Sequence, residues 1–167
     1  MLFGARPNNI NNNKAKETIM KRFNALMFGF LVLVVVGCGK QVPSSGSSKS
    51  NPAAEKAAVE SAQAWLAVMD AGSYSKCWEE AAAALKSAVS QADFEKSLRA
   101  VRAPLGKMVS RKIKSQQYAT SLPGAPDGEY VVIQYDATFE HKANAVETIT
   151  PMLDKEGKWK VSGYYIK

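Results

Sequence analysis

The chain has little of the side-chain chemistry on which most enzymes and metal sites depend. Its 167 residues include one histidine and two cysteines, Cys38 and Cys77. These cysteines lack the close spacing of a zinc site or a redox motif. His141 lies beside Lys142, with no second group placed for general-base catalysis. We therefore expect no metal and no cofactor, and we expect that the chain is not an enzyme.

Acidic residues are also scarce, with 15 Asp and Glu against 22 Lys and Arg and a formal net charge of +7. Five of the basic residues and one of the acidic residues precede Cys38, which leaves a net charge of +3 for the remainder. Most of the basicity therefore belongs to the N-terminal segment. A nucleic acid is not an expected partner.

Only one long apolar run is present, Ala25–Val36. It is 12 residues long, whereas a helix that spans a membrane needs about 20. Lys21-Arg22 precedes the run and Gly37-Cys38 follows it, which is the layout of a secretory signal. A plain secretion signal, an uncleaved anchor and a chance apolar run are the alternatives that this layout leaves open.

The four residues that end at Cys38 resemble the lipobox of bacterial lipoproteins. In that class the cysteine receives a diacylglycerol group and the signal is cut before it. The resemblance implies a signal peptide over 20–37 and a membrane anchor through Cys38. Gly39, where Asp would retain such a protein at the inner membrane, favours the outer membrane facing the periplasm. Cys77 is then alone, and a buried structural thiol is expected there.

The signal divides the chain into four parts. Residues 1–19 are rich in asparagine and have no hydrophobic periodicity, so we expect them to be disordered. Translation is expected to start at Met20, which would leave residues 1–19 untranslated, and a functional N-terminal extension is the alternative. Residues 38–51 have the Gly, Ser and Pro content of a flexible linker. Residues 52–167 remain as one folded domain.

The domain begins with about three predicted helices. Asn51 and Pro52 are typical of a helix start, and apolar residues then recur at helical spacing. A second helix is predicted over Tyr74–Leu85, and a third begins after a cap at Ser90. The expected buried residues of the first and third helices are Ala58, Ala62, Trp65 and Met69, and Phe94, Leu98 and Val101, respectively.

From Lys107 onward the apolar period changes to two, which predicts strands. The first runs to Tyr118, and the next three cover Val131–Phe139, Ala145–Leu153 and Trp159–Ile166, with a hairpin turn at Asp154–Gly157. Helices followed by an antiparallel meander indicate an α+β fold with the helices on one face of a four-stranded sheet.

Several segments carry a family resemblance. Ala64-Trp-Leu66, Asp70-Ala-Gly72 and the ending Gly157–Tyr164 resemble the NTF2-like (SnoaL-like, cystatin-like) superfamily. Val109-Ser-Arg111, Leu122–Tyr130, Ala145–Thr148 and Trp159–Tyr164 more closely resemble a bacterial family, domain of unknown function 4019. The resemblance spans about Ala54 to Lys167. It implies a curved sheet that wraps a long helix in a cone with room for a pocket, in an envelope setting, and it implies no activity.

Arg111 is the first candidate for a site residue. It shares a predicted strand face with Val109 and Ile113, and a buried arginine must be paired. Glu147, which also interrupts an apolar strand, is the partner indicated by residue type. The pair is interpreted either as a structural ion pair or as an anion-recognising arginine at the mouth of a pocket.

Aromatic residues and a basic segment complete the candidates. Seven aromatic side chains either fill the core or line a pocket; they are Trp65, Trp78, Tyr130, Tyr135, Phe139, Trp159 and Tyr164. The predicted pocket or anion site comprises Arg111, Glu147, Trp65, Trp78, Tyr135 and Tyr164. Residues 86–114 hold eight basic and two acidic residues, which indicates a solvated face or contact with anionic lipid headgroups or cell-wall polymers.

These observations favour a lipid-anchored cell-envelope protein that acts as a binding or scaffold module. Its expected partner is an envelope protein or an anionic polymer. A small-molecule carrier or sensor that uses the cone pocket is the alternative, and a SnoaL-like enzyme is less favoured.

Overall fold

A computed structural model describes residues 50–167, which form an α+β fold. The predictions for the N-terminal extension, the signal peptide, the lipid on Cys38 and most of the linker lie outside these residues. No helix of the described part is long and apolar enough to cross a membrane. The elements are α1 Pro52–Asp70, α2 Tyr74–Glu80, α3 Ala83–Ala88, α4 Gln91–Arg102, a 3-10 turn Ala103–Leu105, β1 Met108–Ala119, β2 Tyr130–Phe139, β3 Lys142–Leu153 and β4 Trp159–Ile166.

Helix α1 begins and packs as predicted. The Asn51 side chain accepts a hydrogen bond from the backbone N–H of Ala54 at 3.2 Å, which satisfies one of the free donors at the helix start. The four apolar residues expected on its buried face are all buried, and Leu66 is buried with them. This face packs against the sheet and forms the centre of the core.

The predicted single helix over Tyr74–Leu85 is wrong, because the chain is extended at Ala81 and Ala82. The backbone N–H of Ala82 donates to the carbonyl of Val161 in β4 at 2.8 Å. This contact with the sheet replaces a helical hydrogen bond and divides the segment into α2 and α3. The described domain therefore has four α-helices rather than about three.

Helix α4 has the predicted cap and a different buried face. The Ser90 hydroxyl accepts from the backbone N–H of Asp93 at 3.2 Å. Phe94 and Leu98 are buried as expected, but Val101 is 44% exposed and Arg102 is only 5% exposed. The buried residues Phe94, Leu98 and Arg102 are four positions apart, so the buried face of α4 ends at Arg102 and not at Val101.

The four strands form one curved antiparallel sheet in the order β1-β2-β3-β4. The hairpin between β3 and β4 turns at Asp154–Gly157, with a 3.0 Å hydrogen bond from the Gly157 N–H to the Asp154 carbonyl. β1 is an edge strand with two irregularities, between Met108 and Ser110 and between Ile113 and Ser115. The first of these shifts Val109 out of the expected face, and it is 62% exposed.

The core lies between α1 and one face of the sheet. Its sheet residues are the alternate apolar positions of β2 together with Ile149 and Val161. Of the seven predicted aromatic residues four are buried, and these are Trp65 of α1 and Tyr130, Tyr135 and Phe139 of β2. A second, smaller apolar cluster of Ala137, Phe139 and Ala145 packs against Leu105 of the 3-10 turn.

Candidate functional site

Four charged side chains from four elements meet near the C-terminal end of α1. They are Asp70 of α1, Arg102 of α4, Arg111 of β1 and Glu147 of β3. Glu147 is fully buried, and the exposed fractions of the side chains of Arg102, Arg111 and Asp70 are 5%, 15% and 24%. We call these four residues the ion-pair network.

Each arginine of the network contacts both carboxylates. Arg111 donates from Nη1 and Nη2 to the two oxygens of Asp70 at 2.8 and 3.1 Å, and from Nε to Glu147 at 2.5 Å. Arg102 donates to Glu147 at 3.1 Å and to Asp70 at 2.5 Å. The two positive and two negative charges therefore balance, as buried charges require.

Two aromatic rings close the network on its core side. The Tyr164 hydroxyl donates to Glu147 at 2.6 Å and accepts from Arg102 at 3.3 Å. Its ring packs on Trp65, with the ring centroids 5.8 Å apart. The Arg102 guanidinium lies 4.7 Å from the centroid of the Phe139 ring, in the range of a cation–π contact.

The surroundings hold these groups in their charge states. Burial alone would lower the pKa of Arg111, but its hydrogen bonds to Asp70 and Glu147 raise the pKa above its usual value. Burial would also lower the pKa of Arg102, but its contacts with Tyr164 and Asp70 raise this pKa above its usual value. Burial and the charge of Glu147 raise the pKa of Tyr164. Both arginines therefore remain cationic and the tyrosine remains neutral at physiological pH.

An open groove of about 590 Å³ lies beside the network, between α1 and β1. Gln63, Leu66, Ala67 and Asp70 line it from the helix, Arg111, Lys112 and Ile113 line it from the strand, and Tyr135 of β2 completes it. We call this the α1–β1 groove. The network thus closes one end of a surface depression that has both apolar and charged walls.

Tyr135 carries the one buried side-chain polar atom in the described part of the chain that has no hydrogen-bond partner, its hydroxyl oxygen. The residue is 2% exposed and lines the α1–β1 groove. Burial has the largest effect on the Tyr135 hydroxyl and raises its pKa. The positive charge of Arg111 lowers this pKa, and the negative charge of Glu147 raises it. A buried hydroxyl without a hydrogen-bond partner is rare in native proteins. This hydroxyl distinguishes the α1–β1 groove from the other surface features of the described domain.

The structure brings together most of the predicted site. Arg111 and Glu147 form the expected pair, and Tyr164 and Trp65 extend from it into the core. Tyr135 is the direct register neighbour of Glu147. Trp78 does not join them: its indole donates to the carbonyl of Val89 at 3.2 Å, at the end of α3.

Asp70 and Arg102 were missed by the sequence-based prediction. Asp70 is not among the buried residues predicted for α1, although it follows the buried Leu66 by one helical turn. Arg102 was counted within the basic segment, although it continues the series of Phe94 and Leu98 at four-residue spacing. That spacing was the available signal for the arginine.

Four of the eight basic residues of 86–114 form ion pairs within the described domain. Arg102 and Arg111 are neutralised in the ion-pair network, and Arg99 pairs with Glu95 at 3.3 Å. Lys114 pairs with Asp136 of β2 at 2.9 Å. Lys112 has no ion-pair partner within residues 50–167 and is exposed at the rim of the α1–β1 groove.

Cys77 is a buried structural thiol, as the sequence predicted. It is fully buried, and its carbonyl accepts from the Trp65 indole at 2.8 Å. Burial, with smaller contributions from Glu80 and Asp70, raises the pKa of the thiol from 9.0 to about 12. In residues 50–167 no group of three or more His, Cys, Asp and Glu side chains is arranged to hold a metal ion.

Comparison with known proteins gives one match. A family model described as "Protein of unknown function (DUF4019)" matches residues 61–164, a span that includes all four members of the ion-pair network. No curated protein and no solved structure matches the chain.

Proposed function

The chain belongs to the DUF4019 family, and from this membership and its N-terminal sequence we propose that it is a lipid-anchored protein of the bacterial cell envelope. In this proposal Cys38 carries the lipid and residues 38–51 are the tether. The folded domain faces the periplasm from the outer membrane and acts by binding a partner, without a chemical step.

The pairing within the ion-pair network is the observation that favours binding over catalysis. General acid–base catalysis needs a titratable group that is free to exchange a proton with a substrate. Here the carboxylates of Asp70 and Glu147 each contact two arginines, and the Tyr164 hydroxyl is also engaged. These groups therefore act structurally, and the accessible features of this region belong to the α1–β1 groove.

An NTF2-like cone is the fold that we propose for the domain. The long helix α1 on the inner face of a four-stranded antiparallel sheet supports this assignment. A carrier or sensor that uses the interior of the cone has less support, because Trp65 is packed in the core and the groove that Tyr135 lines is open to solvent. An enzyme of the SnoaL-like type has less support for the same reason.

Lipid attachment is tested by labelling cells with a palmitate analogue. The wild-type protein should take up the label and sediment with membranes, and Cys38→Ala should lose both properties. Cys77→Ala is the matched control and should keep them, because Cys77 is buried in the domain. Labelling that survives Cys38→Ala would contradict the anchor.

Binding is tested by chemical crosslinking in intact envelopes, followed by mass spectrometric mapping of the linked peptides. The proposal expects crosslinks from residues 50–167 to a different protein or to an envelope polymer. A protein that yields only internal crosslinks and binds a small molecule would be a carrier instead, and one that also turns the small molecule over would be an enzyme.

A further inference from the structure

We propose that the α1–β1 groove binds an extended, acidic segment of a partner protein, which adds to β1 as a fifth strand of the sheet. The inference rests on the proposed binding function and specifies how the partner is recognised. Main-chain hydrogen bonds to a free sheet edge would provide affinity, and side chains that enter the groove would provide specificity.

The outer edge of β1 is open. β1 lies at one end of the sheet, and within residues 50–167 the backbone groups of Met108–Ala119 form no hydrogen bonds except those with β2. The two irregularities of β1 leave a regular stretch, Ser110–Ile113, between them. This stretch carries the residues that line the groove, so an added strand would pass directly along it.

The shape of the groove suits a chain segment better than a small molecule. Helix α1 contacts β1 at two points, through Asp70 and Arg111 and through a 3.3 Å hydrogen bond between Gln116 and Glu55. The depression between these points is open to solvent along the strand, whereas small-molecule sites enclose most of their ligand. A second groove, of about 500 Å³, lies along β1 at 115–118.

The Tyr135 hydroxyl supplies an unused donor at the floor of the groove. Ile113, its direct register partner in β1, lines the same groove and is 37% exposed, and in the proposed complex the segment displaces this side chain to reach the hydroxyl. A carboxylate or carbonyl oxygen of the segment can then accept a hydrogen bond from Tyr135. The bound state would thus satisfy the buried polar atom that the free protein leaves without a partner.

Charge identifies the segment as acidic. β1 carries three basic residues and no acidic residue; Arg111 and Lys114 already pair with carboxylates of the domain, so Lys112 is the charge that β1 leaves for a partner. Lys112 stands at the groove rim with no ion-pair partner in the described domain. A second copy of this chain, pairing edge to edge, would place these basic side chains opposite each other, which is unfavourable. A partner segment with glutamate or aspartate at alternate positions places a carboxylate beside Lys112.

The test uses the full chain purified in detergent and fluorescein-labelled octapeptides, with binding followed by fluorescence anisotropy. The probe alternates glutamate and threonine, and a matched peptide alternates lysine and threonine. A third peptide repeats the first with N-methylated backbone amides on one edge. We expect the glutamate peptide to bind about tenfold or more tightly than either of the others.

Three variants place the binding on the groove. Lys112→Glu should weaken binding of the glutamate peptide by about tenfold, whereas Lys96→Glu, an exposed control on α4, should not change it. Tyr135→Phe should weaken binding severalfold without lowering the thermal midpoint, because the hydroxyl has no partner in the free protein. A misfolded variant would instead lower the midpoint.

The following results would overturn the proposal. Equal binding of the glutamate and lysine peptides would show that the site does not select an acidic segment. Full binding of the N-methylated peptide would show that the segment does not add to β1 as a strand. Binding of phosphatidylglycerol vesicles that is lost in Lys112→Glu, with no peptide binding, assigns the surface to a membrane. Self-association through β1 assigns it to a second copy. If palmitate labelling and envelope crosslinks persist in Lys112→Glu, the proposed function is retained although the peptide site is refuted.

Discussion

Replacing Glu147 with glutamine should remove a large part of the stability of the domain. The amide keeps the size of the side chain and one acceptor oxygen, so the Tyr164 hydroxyl retains a partner. The charge balance changes, because Arg102 and Arg111 would then share only the carboxylate of Asp70. One positive charge would remain uncompensated among side chains that are 5% and 15% exposed.

The magnitude follows from burial. Removing one partner of a buried ion pair lowers the free energy of unfolding by about 3–5 kcal/mol. Asp70 and Arg111 are partly exposed, so solvent screens part of the imbalance, and we expect a loss near the lower value, about 3 kcal/mol. Domains of this kind are stable by about 5–15 kcal/mol in total. The variant should therefore fold, with a much lower urea midpoint.

The assay is urea unfolding followed by tryptophan fluorescence, with Trp65 next to the network as a reporter. Lys114→Gln is the matched control, since its ion pair with Asp136 is exposed and should contribute less than about 1 kcal/mol. A loss in Glu147→Gln no larger than in this control would refute the assignment of the network as a structural element.

A second variant separates charge imbalance from lost hydrogen bonds. Glu147→Gln combined with Arg111→Gln restores neutrality, because Arg102 and Asp70 remain as a pair. The double variant should lose less stability than the sum of the two single variants, by about 1–3 kcal/mol. Simple additivity would show that the arginines do not act through their charges.

Three further predictions concern single groups. Tyr135→Phe should leave the free energy of unfolding unchanged or raise it by about 1 kcal/mol, whereas Tyr164→Phe should lower it by about 2 kcal/mol in the same urea assay, because only the second hydroxyl is hydrogen-bonded to charged groups. Gly106→Ala should destabilise more than Gly72→Ala in thermal unfolding: both have positive φ, but an added Cβ at Gly106 would lie 2.7 Å from a glutamate oxygen, while Gly72 has open space. Iodoacetamide should label Cys77 only when the domain unfolds, as peptide mapping would show, because the thiol is buried. Burial raises the pKa of this thiol from 9.0 to about 12. The stability that the neutral thiol contributes is therefore complete below pH 9 and falls as the pH rises toward 12.

Local patterns predicted most of the secondary structure. The cap at Asn51 and the buried face of α1 depend on contacts within a few residues, and the structure confirms both. The alternation in β2 reflects one buried face, and β2 and β4 both lie within a residue of their predicted bounds. The break at Ala81–Ala82 depends on a hydrogen bond to β4. Two alanines in a helical pattern give no local sign of such a contact.

The candidate site was only half predictable. Arg111 and Glu147 stand out because each interrupts an alternating apolar strand, and residue type then suggests that they pair. Asp70 and Arg102 lie at the ends of helices, where charged residues are ordinarily solvated. Their burial depends on how α1 and α4 are placed against the sheet, which is a tertiary property. Tyr135 was expected either as core or as pocket lining, and the orphaned hydroxyl became visible only with its surroundings.

The ion-pair network has a consequence for the rate at which the protein unfolds. Its four ion pairs join residues that are 32 to 45 positions apart in the chain, and no pair can form until the helices and strands are docked. Interactions that form after the transition state slow unfolding and leave the folding rate unchanged. We therefore expect Glu147→Gln, which costs about 3 kcal/mol, to shorten the lifetime of the folded domain by about 100-fold. The complete pairing of the buried charges would then prolong the native state without changing the rate at which it forms.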